Sequence, residues 1–308
     1  MLRLALAQWP VGQPASLDDF ASRLRGALGE AAQAGAHMAV FPEYLSLELA
    51  AIFEPAVRAD FVRSIEALQA YHGAWLALFD TLAREYAMTV LSGTFLLRQG
   101  NGRYRNRACL HLPDGQRFTQ DKLTLTGFER ACGVIEAGDA LHVFDTAHGR
   151  IGVAICYDSE FPLYARALRE AGVRLLLVPS CTDTPAGATR VRVGCQARAL
   201  ENQFFVAQSV TAGAADWSPA LDTNTGYAAL YAPSDRGLPA DGVVARGDGG
   251  TTWAMADVDF AALDETLKNG QVANVADWDF QCRPCVTVAR VACVAPSSGE
   301  QADAGNQP

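Results

Sequence analysis

The chain has 308 residues, of which 50% are hydrophobic and 19% charged, and it carries a net charge of -9 with a pI near 5.1. This is the composition of a folded globular protein rather than a disordered one, and its negative balance argues against nucleic-acid and anionic-membrane partners. No apolar run approaches the roughly 18 to 20 residues that a spanning helix needs, so a small-molecule partner and a cytoplasmic location are the default expectations.

The amino-terminal MLRLALAQWP is interrupted by Gln8 and Trp9 and has no small-residue cleavage site behind it, so Leu2 to Ala7 reads as a first strand rather than a leader. Ser16 and Asp19 form a capping-box-like start to a helix whose Leu17, Phe20, Leu24 and Leu28 share one face. Met38 to Phe41 is the next strand, and the strand, helix, strand order implies a right-handed parallel crossover. It runs into FPEY, which leaves Glu43 just past the carboxyl end of the strand. Helical stretches near Pro55 to Ala70 and Ala74 to Tyr86 precede a strand from Thr89 to Leu97. Asn106 to Leu112 and Arg117 to Gln120 flank the turn signal PDG as a hairpin. DKLTLTGFER follows, with Lys122 leaving the strand and Glu129 seven residues on, in a loop.

Further strands are expected at Leu141 to Phe144 and in RIGVAICYDSEFP, where Ile151, Val153 and Ile155 alternate with small or polar residues. That strand ends at Cys156. Ser159, Glu160 and Pro162 then carry helix-start chemistry ahead of Leu163, Ala167 and Leu168. Cys156 thus sits in a strand-to-helix turn, the place where open α/β sheets bind ligands and where backbone N–H groups point outward. A free cysteine is commonly inert packing, and only a reactive environment distinguishes a nucleophile. Arg174 to Val178 is a continuous apolar strand running into PSCTDT. A helix from Thr189 to Glu201, strands at Phe204 to Val210, Gly226 to Tyr231 and Thr252 to Asp257, and a helix from Phe260 to Lys268 complete the pattern. Residues 1 to 294 read as one domain, and the APSSGEQADAGNQP tail from Ala295 as disordered.

FPE, DKL with a later glutamate, and GVAICYDSEFP, in that order and at these separations, closely resemble the nitrilase, or carbon–nitrogen hydrolase, superfamily. RVGCQARALENQFFVAQS, with Arg198, Ala199, Glu201 and Asn202, and GYAALYAPSDRG, with Gly226 and Pro233, extend the match over about residues 2 to 260. The resemblance implies an α/β fold of the four-layer α-β-β-α sandwich type. It also implies homodimers or higher homo-oligomers paired through an outer helical layer, and cleavage of non-peptide C–N bonds without metal or organic cofactor. It casts Glu43, Lys122 and Cys156 as a catalytic triad with Glu129 as an accessory carboxylate. CYD at residues 156–158 is similar to the amidase and carbamoylase members rather than to nitrile-cleaving ones, so the expected substrate is a small amide. Nitrilase or N-carbamoyl hydrolase activity is the alternative, and a catalytically silent assembly protein is the alternative of a different class.

The chemistry follows from the side chains. A thiol with an ordinary pKa near 8.5 needs a base, which Glu43 supplies, and a positive field, which Lys122 supplies. Attack on a carbonyl forms an oxyanion for which Lys122 and the Tyr157 backbone N–H are the natural donors, and a thioester follows that water cleaves. Phe128, Arg130, Asp158, Thr182, Asp183 and Arg190 are candidate substrate contacts, each with a plainer reading. Asp158 suits a helix start, Thr182 and Asp183 suit a polar turn, and the arginines suit a surface. Arg198 with Glu201 reads as a helix-locking ion pair. His37, His72, His111, His142 and His148 stand in no metal-ligand spacing; Cys282 and Cys285 form a lone CxxC that is either redox-active, half of a zinc site or ordinary, and without a second ligand pair no metal is expected.

Overall fold

The computed structural model describes residues 1–284 and 286–289. The tail from Ala295 and one half of the Cys282/Cys285 pair therefore lie outside the described residues.

The first strand organises the sheet. Leu2–Pro10 pairs in parallel with Met38–Val40 and antiparallel with Trp253–Val258 along its first part, then hands Gln8, Trp9 and Pro10 to the parallel strand Phe205–Ala214. A continuous path of nine strands results. On one side of the Leu2–Pro10 strand it runs through Met38–Val40, Thr89–Arg98 and Tyr104–His111 to Arg117–Asp121; on the other it runs through Phe205–Ala214, Leu175–Ser180 and Gly149–Val153 to Val143–Thr146. The two ends fold toward each other: Phe118 and Phe144, from the terminal strands, stack with ring centroids 5.2 Å apart. The mixed sheet is therefore nearly barrel-like, two halves facing across a shared apolar layer.

Alternation in the first strand shows why. Leu4 and Leu6 join Ile151, Val153 and Leu175 in that inner layer, whereas Ala5, Ala7 and Trp9 point the other way. There they meet Phe20, Leu24 and Leu28 of the helix Leu17–Gln33 and Trp75 and Phe79 of the helix His72–Glu85. The opposite flank is covered by Pro162–Glu170 and Pro185–Asn202. Gly152 lets the first of these helices approach closely: a Cβ there would lie 2.7 Å from the Leu168 side chain, which would have to shift. The order is the expected α-β-β-α, and among the described residues no helix is long and apolar enough to cross a membrane.

Local departures have local causes. The helix expected from Pro55 to Ala70 is broken, since Asp60 accepts the Arg63 N–H at 3.0 Å and so starts a new helix, Phe61–Leu68. The segment after FPEY forms the buried 3₁₀ turn Leu45–Ile52, and Glu129 lies on a short helix, Gly127–Ala131, rather than in a loop. A strand at Val243–Arg246, hidden in sequence among glycines and aspartates, pairs with Ala229–Tyr231.

Candidate active site

Three strand ends deliver the charges. Glu43 follows Met38–Val40, where Gly93 makes room: a Cβ there would sit 2.1 Å from the Pro42 carbonyl oxygen, and its φ of +69° suits glycine. Tyr44 turns the chain with φ 61° and donates its N–H to Thr94 Oγ1 at 2.8 Å. Lys122 extends Arg117–Asp121, its N–H held by the Asn106 carbonyl at 2.8 Å. Cys156 follows Gly149–Val153 and opens the 3₁₀ turn Cys156–Glu160 with φ 49°, a left-handed conformation that costs a non-glycine residue about 1–2 kcal/mol. The neighbouring helix holds that turn: a Cβ on Gly194 would be 3.0 Å from the Ser159 carbonyl, which also accepts Arg198 Nη1 at 3.1 Å. Arg198 pairs with Glu201 as expected, at 3.1 Å.

The side chains converge. Lys122 Nζ lies 2.8 Å from both Glu43 Oε1 and Glu129 Oε2, and all three residues are at most 1% exposed. Asn106 Nδ2 donates to Glu43 Oε1 at 2.8 Å and lies 3.2 Å from Glu129 Oε1, which also accepts the Tyr44 hydroxyl at 2.8 Å. Thr126 closes a capping box, its N–H reaching Glu129 Oε2 at 2.8 Å. Glu43 Oε2 accepts only the Cys181 N–H, at 3.1 Å, among those nitrogen donors, leaving lone pairs for the thiol beside it. Cys156 Sγ is 3.6 Å from the Cys181 carbonyl oxygen and lines the same cavity as Glu43, whose charge it feels.

Burial sets the proton positions. It raises the Glu43 pKa, partly offset by Lys122. It also pushes the Cys156 thiol well up, and the Glu43 charge adds to this. Burial opposes the Lys122 charge more than any other single influence. Glu43, Glu129 and Cys156 together outweigh it and hold the ammonium form. Burial likewise works against the Glu129 carboxylate, but Lys122, Thr126 and Tyr44 bring its pKa below the usual value. The centre thus rests as a thiol beside a carboxylate of raised basicity, braced by a permanent cation.

A cavity of about 270 Å³ opens onto this centre, lined among others by Glu43, Lys122, Cys156, Tyr157 and Cys181. Tyr157 lies in the first turn of a helical segment, where backbone N–H groups have no acceptor within the helix. Phe128, Thr182, Asp183 and Arg190 line the same cavity. Phe128 packs edge-on against Phe61, and the Thr182 hydroxyl donates to the Thr225 carbonyl at 2.6 Å. Two candidate contacts are not brought there. Arg130 hydrogen-bonds the Leu125 carbonyl on an exposed face, because it follows Glu129 on the helix and adjacent residues point about 100° apart.

Asp158 is buried beneath the site and accepts the N–H groups of Leu123, Thr124 and Ile155 at 3.1, 2.7 and 3.3 Å, although burial pushes its pKa up to about 7. It ties the segment after Lys122 to the turn of Cys156. Asp158→Ala is expected to cost about 2–3 kcal/mol in urea unfolding, through orphaned N–H donors, and to lower turnover by loosening both strand ends. A variant as stable as the parent would deny this tie.

The match to known proteins follows the same residues. The family model for carbon-nitrogen hydrolases fits residues 3–265. The chain belongs to the carbon–nitrogen hydrolase family. A probable hydrolase, YhcX of Bacillus subtilis, is 31% identical over 277 residues, covering 90% of this chain, which spans about half (53%) of that relative's length. The omega-amidase NIT2-B of Xenopus laevis is 27% identical, over 85% of this chain and 90% of its own. Among solved structures, Nit3 of Saccharomyces cerevisiae superimposes with TM-score 0.68 at 20% identity, covering 87% of this chain and 93% of that one. The NitFhit protein of C. elegans gives 0.72 at 21%, covering 94% and 66%. These likenesses place the fold in the nitrilase superfamily, and this carbon–nitrogen hydrolase brings buried Glu43, Lys122 and Cys156 to one cavity, with Glu129 buried against Lys122. Among its described residues no cluster of His, Cys, Asp and Glu has a metal-binding arrangement.

Asn106, Tyr44 and Cys181 escaped the sequence reading. Asn106 lies inside a strand whose alternation marks it only as inward-facing, and Cys181 contributes backbone groups, which carry no sequence signal.

Proposed function

We propose that this carbon–nitrogen hydrolase is a thiol amidohydrolase that cleaves a small amide through an acyl-enzyme. The observation that carries the reading is that the Cys156 thiol, the Glu43 carboxylate and the Lys122 ammonium, the last two 2.8 Å apart, line one cavity. Glu43 takes the Sγ proton as sulfur bonds to the amide carbon. The oxyanion is met by the Lys122 ammonium and the Tyr157 N–H. Glu43 passes its proton to the nitrogen as the C–N bond breaks, leaving a thioester and ammonia or amine. Water then gives its proton to Glu43, attacks the thioester and releases the acid, with the proton returned to sulfur. Glu129, with Asn106 and Tyr44, fixes Lys122 and takes no proton.

The CYD sequence at the nucleophile and relatives named omega-amidases support an amide over a nitrile or carbamoyl substrate. We also read the outer helices, with Leu163 72% and Val193 50% exposed, as the face through which two copies pair. Ammonia release from chain-matched amide, nitrile and N-carbamoyl substrates tests the reading; the amide is expected to lead, and a faster nitrile would overturn it. Because burial raises the Glu43 pKa, the acidic limb of kcat/KM is expected above the ordinary glutamate value of about 4.3. Glu43→Gln should remove that limb together with most of the activity.

A further inference from the structure

We propose that the cavity selects short amides whose far end is a cation, an inference that rests on the amidohydrolase reading and names its substrate class. Apart from Glu43 and Lys122 at its floor, the charged lining consists of Glu160, Asp183, Asp222 and Arg190. Arg190, the lining residue best suited to bind a substrate carboxylate, already faces Glu160 at 3.6 Å. Asp183 and Asp222 form no ion pair among the described residues, although Asp222 Oδ1 accepts the Thr223 N–H at 2.8 Å, so the charged residues lining the cavity sum to a negative charge. The remaining large lining groups include the rings of Phe128 and Tyr157, which can attract an ammonium group through their π systems, although the Tyr157 hydroxyl is a donor that either sign of ligand could use.

The adjoining groove, which shares Pro219 and Asp222 with the cavity, adds Asp216, Trp217 and Arg58, again an aromatic ring with balanced charges. The chain's net charge of -9 acts in the same direction from a distance. At about 270 Å³ the cavity lies near the lower end of ordinary ligand sites, roughly 300–1,000 Å³. A linear amide of a few carbons, with its carbonyl on Cys156 and an ammonium at the mouth, meets all of these features. The exposed position of Asp183 and Asp222 makes the selection electrostatic and sensitive to salt.

Two readouts separate this inference from the one beneath it. The first is kcat/KM for 5-aminopentanamide, pentanamide and the monoamide of glutaric acid. The second, which needs no amide chemistry, is the rate at which Cys156 is modified by 2-ammonioethyl, methyl and 2-sulfonatoethyl methanethiosulfonate, each normalised to its rate with free mercaptoethanol and located by mass spectrometry. Both series are expected to fall from cation to neutral to anion, by at least about tenfold end to end at low salt, and to compress at 0.5 M NaCl. In Asp183→Asn/Asp222→Asn the cation-to-anion ratio should move toward one in both. Cation-favoured modification without turnover of any amide would remove the amidase reading and leave the charge selection standing. Amide turnover that favours the carboxylate, or a modification ratio at or below one, would overturn the selection.

Discussion

Replacing Cys156 with alanine is expected to lower amide turnover by at least about 10⁴-fold, the scale on which nucleophile removal disables covalent hydrolases. The fold should be unaffected. Cys156 is buried at the edge of the core with its side chain lining the cavity, and alanine at φ 49° inherits the same left-handed strain, so stability should shift by no more than about 1 kcal/mol in urea unfolding. Cys156→Gly should be slightly more stable than Cys156→Ala, since glycine relieves a strain of about 1–2 kcal/mol. That difference would measure the backbone cost of presenting the thiol. Mass spectrometry of the parent with a slowly turned-over amide should show an acyl adduct on Cys156 that both variants lack. Undiminished hydrolysis by the alanine variant would end the mechanism proposed here.

What could be read in the sequence was decided by periodicity. Residues just beyond an apolar strand must emerge at its carboxyl edge, so Glu43, Lys122 and Cys156 could each be placed at a strand end; that they share one site was implied by the resemblance of their three motifs to the nitrilase superfamily. Direction beyond the strand end could not be read. Glu129 and Arg130 are neighbours in sequence, yet one is buried against Lys122 and the other faces solvent, a divergence that exists only because TGFER winds into a helical turn. Asp158 was legible as a carboxylate at a turn, but its partners Leu123 and Thr124 come from 34 or 35 residues away and follow no local rule. The switch of Leu2–Pro10 between two sets of neighbours, which closes the sheet on itself, likewise depends on pairing across some 200 residues.

Lys122→Met is the second large effect, and it falls on stability as well as rate. The ammonium is the sole cation contacting Glu43 and Glu129 among the described residues, and methionine fills a similar volume without charge. Two buried carboxylates would then face each other without compensation, and breaking such a buried pairing costs about 3–5 kcal/mol. The pH dependence identifies the cause. In the parent, Glu129 has a lowered pKa, so its stabilisation is present above its unfolded value and is lost as pH falls through the folded one; Glu43, raised by burial, contributes with the opposite sign. Without Lys122, both carboxyl groups prefer to be protonated in the folded state, and their pKa values rise above the unfolded value near 4.3. The folded variant then binds more protons than the unfolded chain, and its stability increases as pH falls. The deficit relative to the parent is therefore expected to shrink between pH 8 and pH 5, and Lys122→Met/Glu129→Gln should recover at least half of it at pH 8. Activity should stay absent in both variants, because neither restores the cation at the oxyanion. A deficit that stays constant with pH would mean that Lys122 acts by packing alone.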